Sequence, residues 1–196
     1  MSFLKKLFNS PKQKEAESQA DLDSNELCLD QIFVQKFIKK NGKFLYCASI
    51  EDVKSNLSNI LAENEWNNII CNDIDLTKLL DSKKISINTK FSNKSPLFVG
   101  CEHLIAENGS ILFSSNQLKD FKISELSDFF IVYATTSQLV KTKSESLTGI
   151  NSRYKGNIPS NISAIKNYNP NSETNDFMNY GNTNSKNLYL LLFEDL

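Results

Sequence analysis

The sequence predicts an α/β protein with a mainly parallel sheet and an antiparallel piece. Three observations predict it. Short apolar runs alternate with helical patterns through the first half of the chain. Residues 129–134 (FFIVYA) and 188–193 (LYLLLF) are apolar or aromatic throughout, as expected of strands buried on both faces in the middle of a parallel sheet. Asn108-Gly109 lies between two apolar runs, and both residues accept positive φ at little cost, so it predicts a tight turn between antiparallel strands.

The elements follow in order. In residues 1–9 (MSFLKKLFN), Phe3, Leu4, Leu7 and Phe8 share one helical face with Lys5 and Lys6 opposite. Residues 10–25 are polar and charged and contain Pro11, the composition of a flexible linker. The expected division is a short amphipathic segment with linker over residues 1–25 and a folded domain over residues 26–196. Leu27, Ile32, Phe33, Phe37 and Ile38 approximate helical spacing, ended by Asn41-Gly42. Residues 43–48 are a strand. Ser49 caps a helix carrying Asp52, Val53, Leu57, Ile60 and Leu61. A strand over 68–71 and a short helix over 73–80 follow. Ile85 and Ile87 alternate with polar residues, as in an edge strand.

Residues 98–115 (FVGCEHLIAENGSILFSS) read as strand, bend, Glu-Asn-Gly turn and strand. Residues 123–127 give one helical turn. After the strand at 129–134, Thr135-Thr136-Ser137 is expected to open a helix carrying Leu139, Val140, Leu147 and Ile150. Residues 151–186 read as long loops with one short strand at 162–165, and 188–193 as the last strand.

Composition narrows the function. The 196 residues are 40% hydrophobic with a formal net charge of −1. That balance does not favour nucleic acid or an anionic membrane as the main partner. No apolar run reaches the roughly 18 residues of a spanning helix. Residues 1–10 lack a secretory signal's apolar core and cleavage site. A cytoplasmic protein is expected. Cys28, Cys47, Cys71 and Cys101 are widely spaced with no Cys-x-x-Cys pair, so neither a disulfide framework nor a metal site is expected. Cys47, Cys71 and Cys101 fall at the predicted carboxyl ends of strands, where packing accounts for them better than a thiolate cluster.

Glu107 sits beside the Asn108-Gly109 turn, near exposed backbone N–H groups. This suits a binding or catalytic carboxylate, while the plainer reading of the motif alone is a hairpin corner facing water. His103 is the only histidine and the one side chain with an ordinary pKa suited to proton transfer near neutrality. Ser160, after Pro159, offers a hydroxyl and backbone N–H to an anion, with Arg153 and Lys155 just before it as candidate charges. Trp66 reads as core.

Residues 104–112 (LIAENGSIL) resemble the Ile-Ala-Glu-Thr-Gly-Thr signature of the lactate-utilisation (LUD) domain family, LutC/YkgG type. The run FFIVYATTSQLV resembles that family's buried strand leading to a helix. Residues 158–165 stand where the family has a Gly-Pro-Ser-x-Thr-Ala-Asp-Ile loop, with Ser163-Ala164 in place of Ala-Asp. The family's Gly-x-His-Gly loop is replaced by an Asn-rich stretch around Gly181. The resemblance covers the chain from about Glu26 onward. It implies a divergent member with a three-layer αβα fold of the NagB/RpiA/CoA-transferase-like group. It also implies an accessory or subunit role in bacterial oxidation of L-lactate to pyruvate, alongside partner proteins that carry the iron–sulfur motifs. The protein would need no cofactor of its own and would bind a small anionic ligand near Glu107, through Asn108, Gly109, Ser110, Pro159 and Ser160. A second reading rests on similarity to the Ser-Glu-Asn-Gly motif of class I CoA transferases, in which Glu107 would be the nucleophile.

Overall fold

The protein is described by a computed structural model, whose described residues are 28–81, 84–169 and 184–195. The expectations for residues 1–25 and for the stretch around Gly181 lie outside them.

Among the described residues there are ten strands, arranged in two sheets, with five helices and two short 3-10 turns. The larger has six strands, all parallel, in the order β1 (Lys43–Cys47), β10 (Asn187–Phe193), β7 (Phe129–Thr135), β4 (Leu97–Val99), β2 (Asn68–Ile70) and β3 (Ser86–Asn88). β10 and β7 pair over seven residues, from Asn187 opposite Phe129 to Phe193 opposite Thr135. Along β10, Leu188, Leu190 and Leu192 enter one core and Leu191 the other. That explains the unbroken apolar run, since both faces of the strand are covered.

Helices cover both faces, giving the three-layer αβα arrangement. On one face, α2 (Ile50–Glu63) buries Val53, Leu57, Ile60 and Leu61 against Leu191, Ile131 and Phe98. Ser49 caps it as the sequence predicts. Its Oγ accepts from the Asp52 N–H at 3.1 Å and its own N–H donates to Asp52 Oδ2 at 3.0 Å, satisfying two orphan donors reciprocally. On the other face, α1 (Leu29–Lys39) buries Phe33, Val34 and Phe37. It ends where Asn41 takes φ +66 and the Gly42 N–H reaches Phe37 O at 3.0 Å. A Cβ on Gly42 would run into the Phe37 ring, so only glycine lets β1 start directly beneath the helix.

The same face carries the second sheet, in the order β8 (Leu139–Val140), β5 (His103–Ile105), β6 (Ser110–Phe113) and β9 (Ser163–Ile165). β5 and β6 are the expected hairpin. Leu104, Ile111 and Phe113 join the core of the large sheet, while Ile105 and Leu112 face Ile150 of α5 (Lys143–Arg153).

The helix expected from Thr135 onward needs correction. Thr136–Gln138 make a single 3-10 turn, and Leu139 and Val140 pair in parallel with Leu104 and Ile105 of β5. The helix begins only at Lys143, capped by Thr142, whose Oγ1 accepts from the Glu145 N–H at 3.2 Å. A backbone partner far away in sequence outweighs the local apolar spacing at Leu139 and Val140. Ile150 is buried as expected, but Leu147 is exposed.

Among the described residues no helix is long and apolar enough to cross a membrane.

Candidate functional site

In open α/β sheets, ligands sit outside the carboxyl ends of the strands. Here that edge holds a cleft of about 580 Å³. β2 continues into Asn72 and the one-turn helix α3 (Ile74–Thr77), which Asp73 caps. β4 runs out into Gly100 and Cys101, and β7 supplies Tyr133. Gln138 and the one-turn helix α4 (Ser115–Leu118), with Lys119 at its end, complete the lining, with Phe91 at the side. This fits the 300–1,000 Å³ range of small-molecule sites.

Beside the cleft lies a buried carboxylate. After β4 the chain leaves the large sheet and places Glu102 at 0% exposure. Its Oε1 accepts from Ser114 Oγ at 2.6 Å, Gln117 Nε2 at 3.0 Å, Asn116 Nδ2 at 3.3 Å and Tyr154 OH at 3.3 Å. Oε2 lies 3.2 Å from Tyr154 OH and 3.6 Å from Arg153 Nη1, the chain's only arginine. Burial alone would push the carboxyl's pKa up. The hydrogen bonds from Ser114, Gln117, Tyr154 and Asn116 together outweigh it and hold the pKa below the ordinary value. Glu102 therefore fastens α4 and the end of α5 to the β4–β5 connection. Gln138 adds a second clasp, its Nε2 donating to Cys101 O at 2.6 Å and its Oε1 accepting from the Thr135 N–H at 2.8 Å.

The sequence-predicted residues fall in three places. Glu107 is exposed at the hairpin turn, where its Oε1 accepts from the Lys143 N–H at 3.2 Å, in the first turn of α5. Asn108 Oδ1 accepts from the Ser110 N–H at 3.0 Å, and Ser110 is buried. The turn is latched to α1: Lys36 Nζ donates to Glu107 O at 2.7 Å and Lys40 Nζ to Asn108 O at 2.6 Å. Tyr168 OH closes the far side on Gly109 O at 2.7 Å. None of Glu107, Asn108, Gly109 and Ser110 lines the cleft.

His103 is buried in β5. A carbonyl only accepts, so the 3.3 Å contact with Gln138 O places a proton on Nδ1 of the neutral ring. Nε2 faces α5, where a Cβ added to Gly149 would stand 3.1 Å away. Burial lowers the ring's pKa, with Arg153 adding to the effect and the Gln138 carbonyl and Glu102 opposing it. The unfolded chain then binds a proton near pH 6.5 that the folded chain resists. Stability is fully present above that pH and falls as the pH drops toward the folded value. Thermal melts between about pH 7 and about pH 5 are expected to show the loss, and His103→Asn to flatten it. An unchanged slope in the variant would place the titrating group elsewhere.

Pro159 is buried and Ser160 exposed, and Ser160 O accepts from the Ser115 N–H at 2.9 Å. Ser115 follows Ser114, the hydroxyl donor to Glu102, so Ser160 and Arg153 meet the Glu102 network rather than the Glu107 turn. Cys47, Cys71 and Cys101 do lie at the carboxyl edge, all buried. Desolvation raises all three thiols, Cys71 to about 11 and Cys101 further. Among the described residues no three His, Cys, Asp or Glu side chains come together as metal ligands.

Glu102, Asn72, Lys119 and Tyr154 are absent from the sequence-based candidates. The one local signal for Glu102 was an acid three residues past the carboxyl end of a strand.

The elements define a mixed α/β protein with a mainly parallel six-stranded sheet and a ligand-sized cleft at its carboxyl edge. Among solved structures, the crystal structure of a DUF162 family protein from Deinococcus radiodurans is similar, with a TM-score of 0.61 over 86% of this chain and 99% of that one. The two are 13% identical, so the likeness is one of fold. DUF162 is the LUD-domain family. No protein-family model matches the sequence, and no curated protein matches it significantly.

Proposed function

We propose that the chain is a divergent LUD-type protein of the LutC/YkgG kind, acting in the cytoplasm as an accessory or subunit protein of L-lactate oxidation to pyruvate. It is not catalytic alone and works with iron–sulfur partner proteins. One coincidence carries the reading. The stretch that resembles the family signature, residues 104–112, forms the β5–turn–β6 hairpin inside a fold similar to that of a DUF162 family protein. Neither would suffice separately, because short motifs recur by chance and folds host many functions. The test is affinity purification of the tagged chain from its own host grown on L-lactate. Recovery of an iron–sulfur protein, at a level that falls when lactate is withheld, is the expected result. Repeated recovery of the chain without any such partner overturns the reading.

A further inference from the structure

The cleft at the carboxyl edge has features that a site for a three-carbon acid does not need. It is large, and apolar side chains stand among the polar ones that line it. Ile74 is 77% exposed at the rim. Phe91 forms one wall, and the Phe121 ring packs behind it at 4.9 Å. The polar side chains are unequally available. Gln117 and Gln138 spend both ends of their amides on internal partners, and Asp73 and Asp75 are held by the first turn of α3 and by Lys78. Asn72 Nδ2, by contrast, is a buried donor with no partner among the described residues. Lys119 Nζ stands 5.9 Å over the Phe91 ring, in no ion pair among the described residues.

The backbone of Lys119 is the second observation. It takes φ +53 and ψ −131, the conformation of the first central residue of a type II′ turn, where glycine is the usual occupant. A side chain there is strained. Strain of this kind persists where the surroundings over-determine it, most often at ligand sites.

We propose that this cleft binds an organic anion with a planar or bulky apolar body. Its carboxylate or phosphate pairs with Lys119, and its ring lies against Phe91 and Ile74. The site is separate from the Glu107 turn, and the inference stands whether or not the lactate reading does.

The experiment uses the purified full chain and 8-anilinonaphthalene-1-sulfonate, a fluorescent aromatic anion, with four competitors. Phenylpyruvate and AMP each join a ring to an anion, one as carboxylate and one as phosphate. Pyruvate is an anion without a ring, and adenosine a ring without an anion. Saturable binding of the probe is expected, displaced by phenylpyruvate or AMP at concentrations where pyruvate and adenosine do nothing. Which of the two competes identifies the anion. Lys119→Gly removes the cation and relieves the backbone, so it is expected to weaken the probe about tenfold or more while raising the Tm. A fall in affinity without loss of fold is thereby separated from simple unfolding. Probe binding unchanged in Lys119→Gly, or displacement by pyruvate or adenosine as readily as by the ring-bearing anions, overturns the inference.

Discussion

Gly109→Ala is expected to destabilise the protein by about 3 kcal/mol, the sum of a left-handed backbone penalty and a steric one. Gly109 has φ +64, which costs an L-residue about 1–2 kcal/mol. A Cβ at this position would also stand 2.8 Å from the backbone of Lys36 and Phe37 in α1, closer than real contacts allow. Backbone cannot rotate aside as a long side chain does, so either the helix or the hairpin must move. Movement would strain the Lys36 and Lys40 latches and the Tyr168 bond to Gly109 O. Gly156→Ala is the matched control, since Gly156 also has positive φ, at +89, but nothing lies within 4 Å of its added Cβ. Urea unfolding of both variants separates the terms. A loss at Gly109 no greater than at Gly156 would show that the close approach to α1 carries no cost.

The second large effect is at Glu102. Removing one partner from a buried charged network typically costs about 3–5 kcal/mol, because the remaining donors lose their acceptor. Glu102→Ala strands Ser114, Gln117, Asn116 and Tyr154 together, and the expected loss lies in that range. Glu102→Gln keeps the shape but sets an amide NH₂ among donors and removes the charge. It is expected to cost about 2 kcal/mol near neutrality. The pH profile gives a further check. The folded carboxyl has a lowered pKa, so its contribution is fully present above the ordinary value of 4.5 and is lost as the pH falls through the folded value. Glu102→Gln should abolish this acid limb. If its Tm falls on acidification as steeply as that of the unsubstituted chain, other carboxylates dominate and Glu102 is not the anchor described here.

How much of this was readable beforehand depends on the distance over which each interaction acts. The reciprocal cap of Ser49 and Asp52 was legible because both partners lie within one helical turn. The β5–β6 hairpin was legible because its turn chemistry is local: Gly109 takes positive φ, and Asn108 Oδ1 accepts from the Ser110 N–H two residues on. The buried runs of β7 and β10 announced themselves by composition. Leu139 and Val140 were misread because their partners, Leu104 and Ile105, are supplied by a strand some 35 residues earlier, a separation readable from the pairing register. Glu102 was illegible for the same reason, since its donors Ser114 and Tyr154 lie 12 and 52 residues away. A lone acid between Cys101 and His103 carries no local sign that five groups converge on it. The residues of the Glu-Asn-Gly turn were conspicuous because turn chemistry is local, and the cleft was inconspicuous because it is assembled from strand ends.

The strand order also bears on how the chain is made. β10 lies between β1 and β7, yet the ribosome delivers it after every other described strand. Until it emerges, the nascent chain holds two apolar strands whose facing edges have no partner, and the sheet's longest pairing cannot form. Folding of the sheet is therefore tied to the emergence of β10, and the waiting edges are templates for pairing with other chains. Translation that stops short of residue 187 would yield an aggregating fragment rather than a smaller domain.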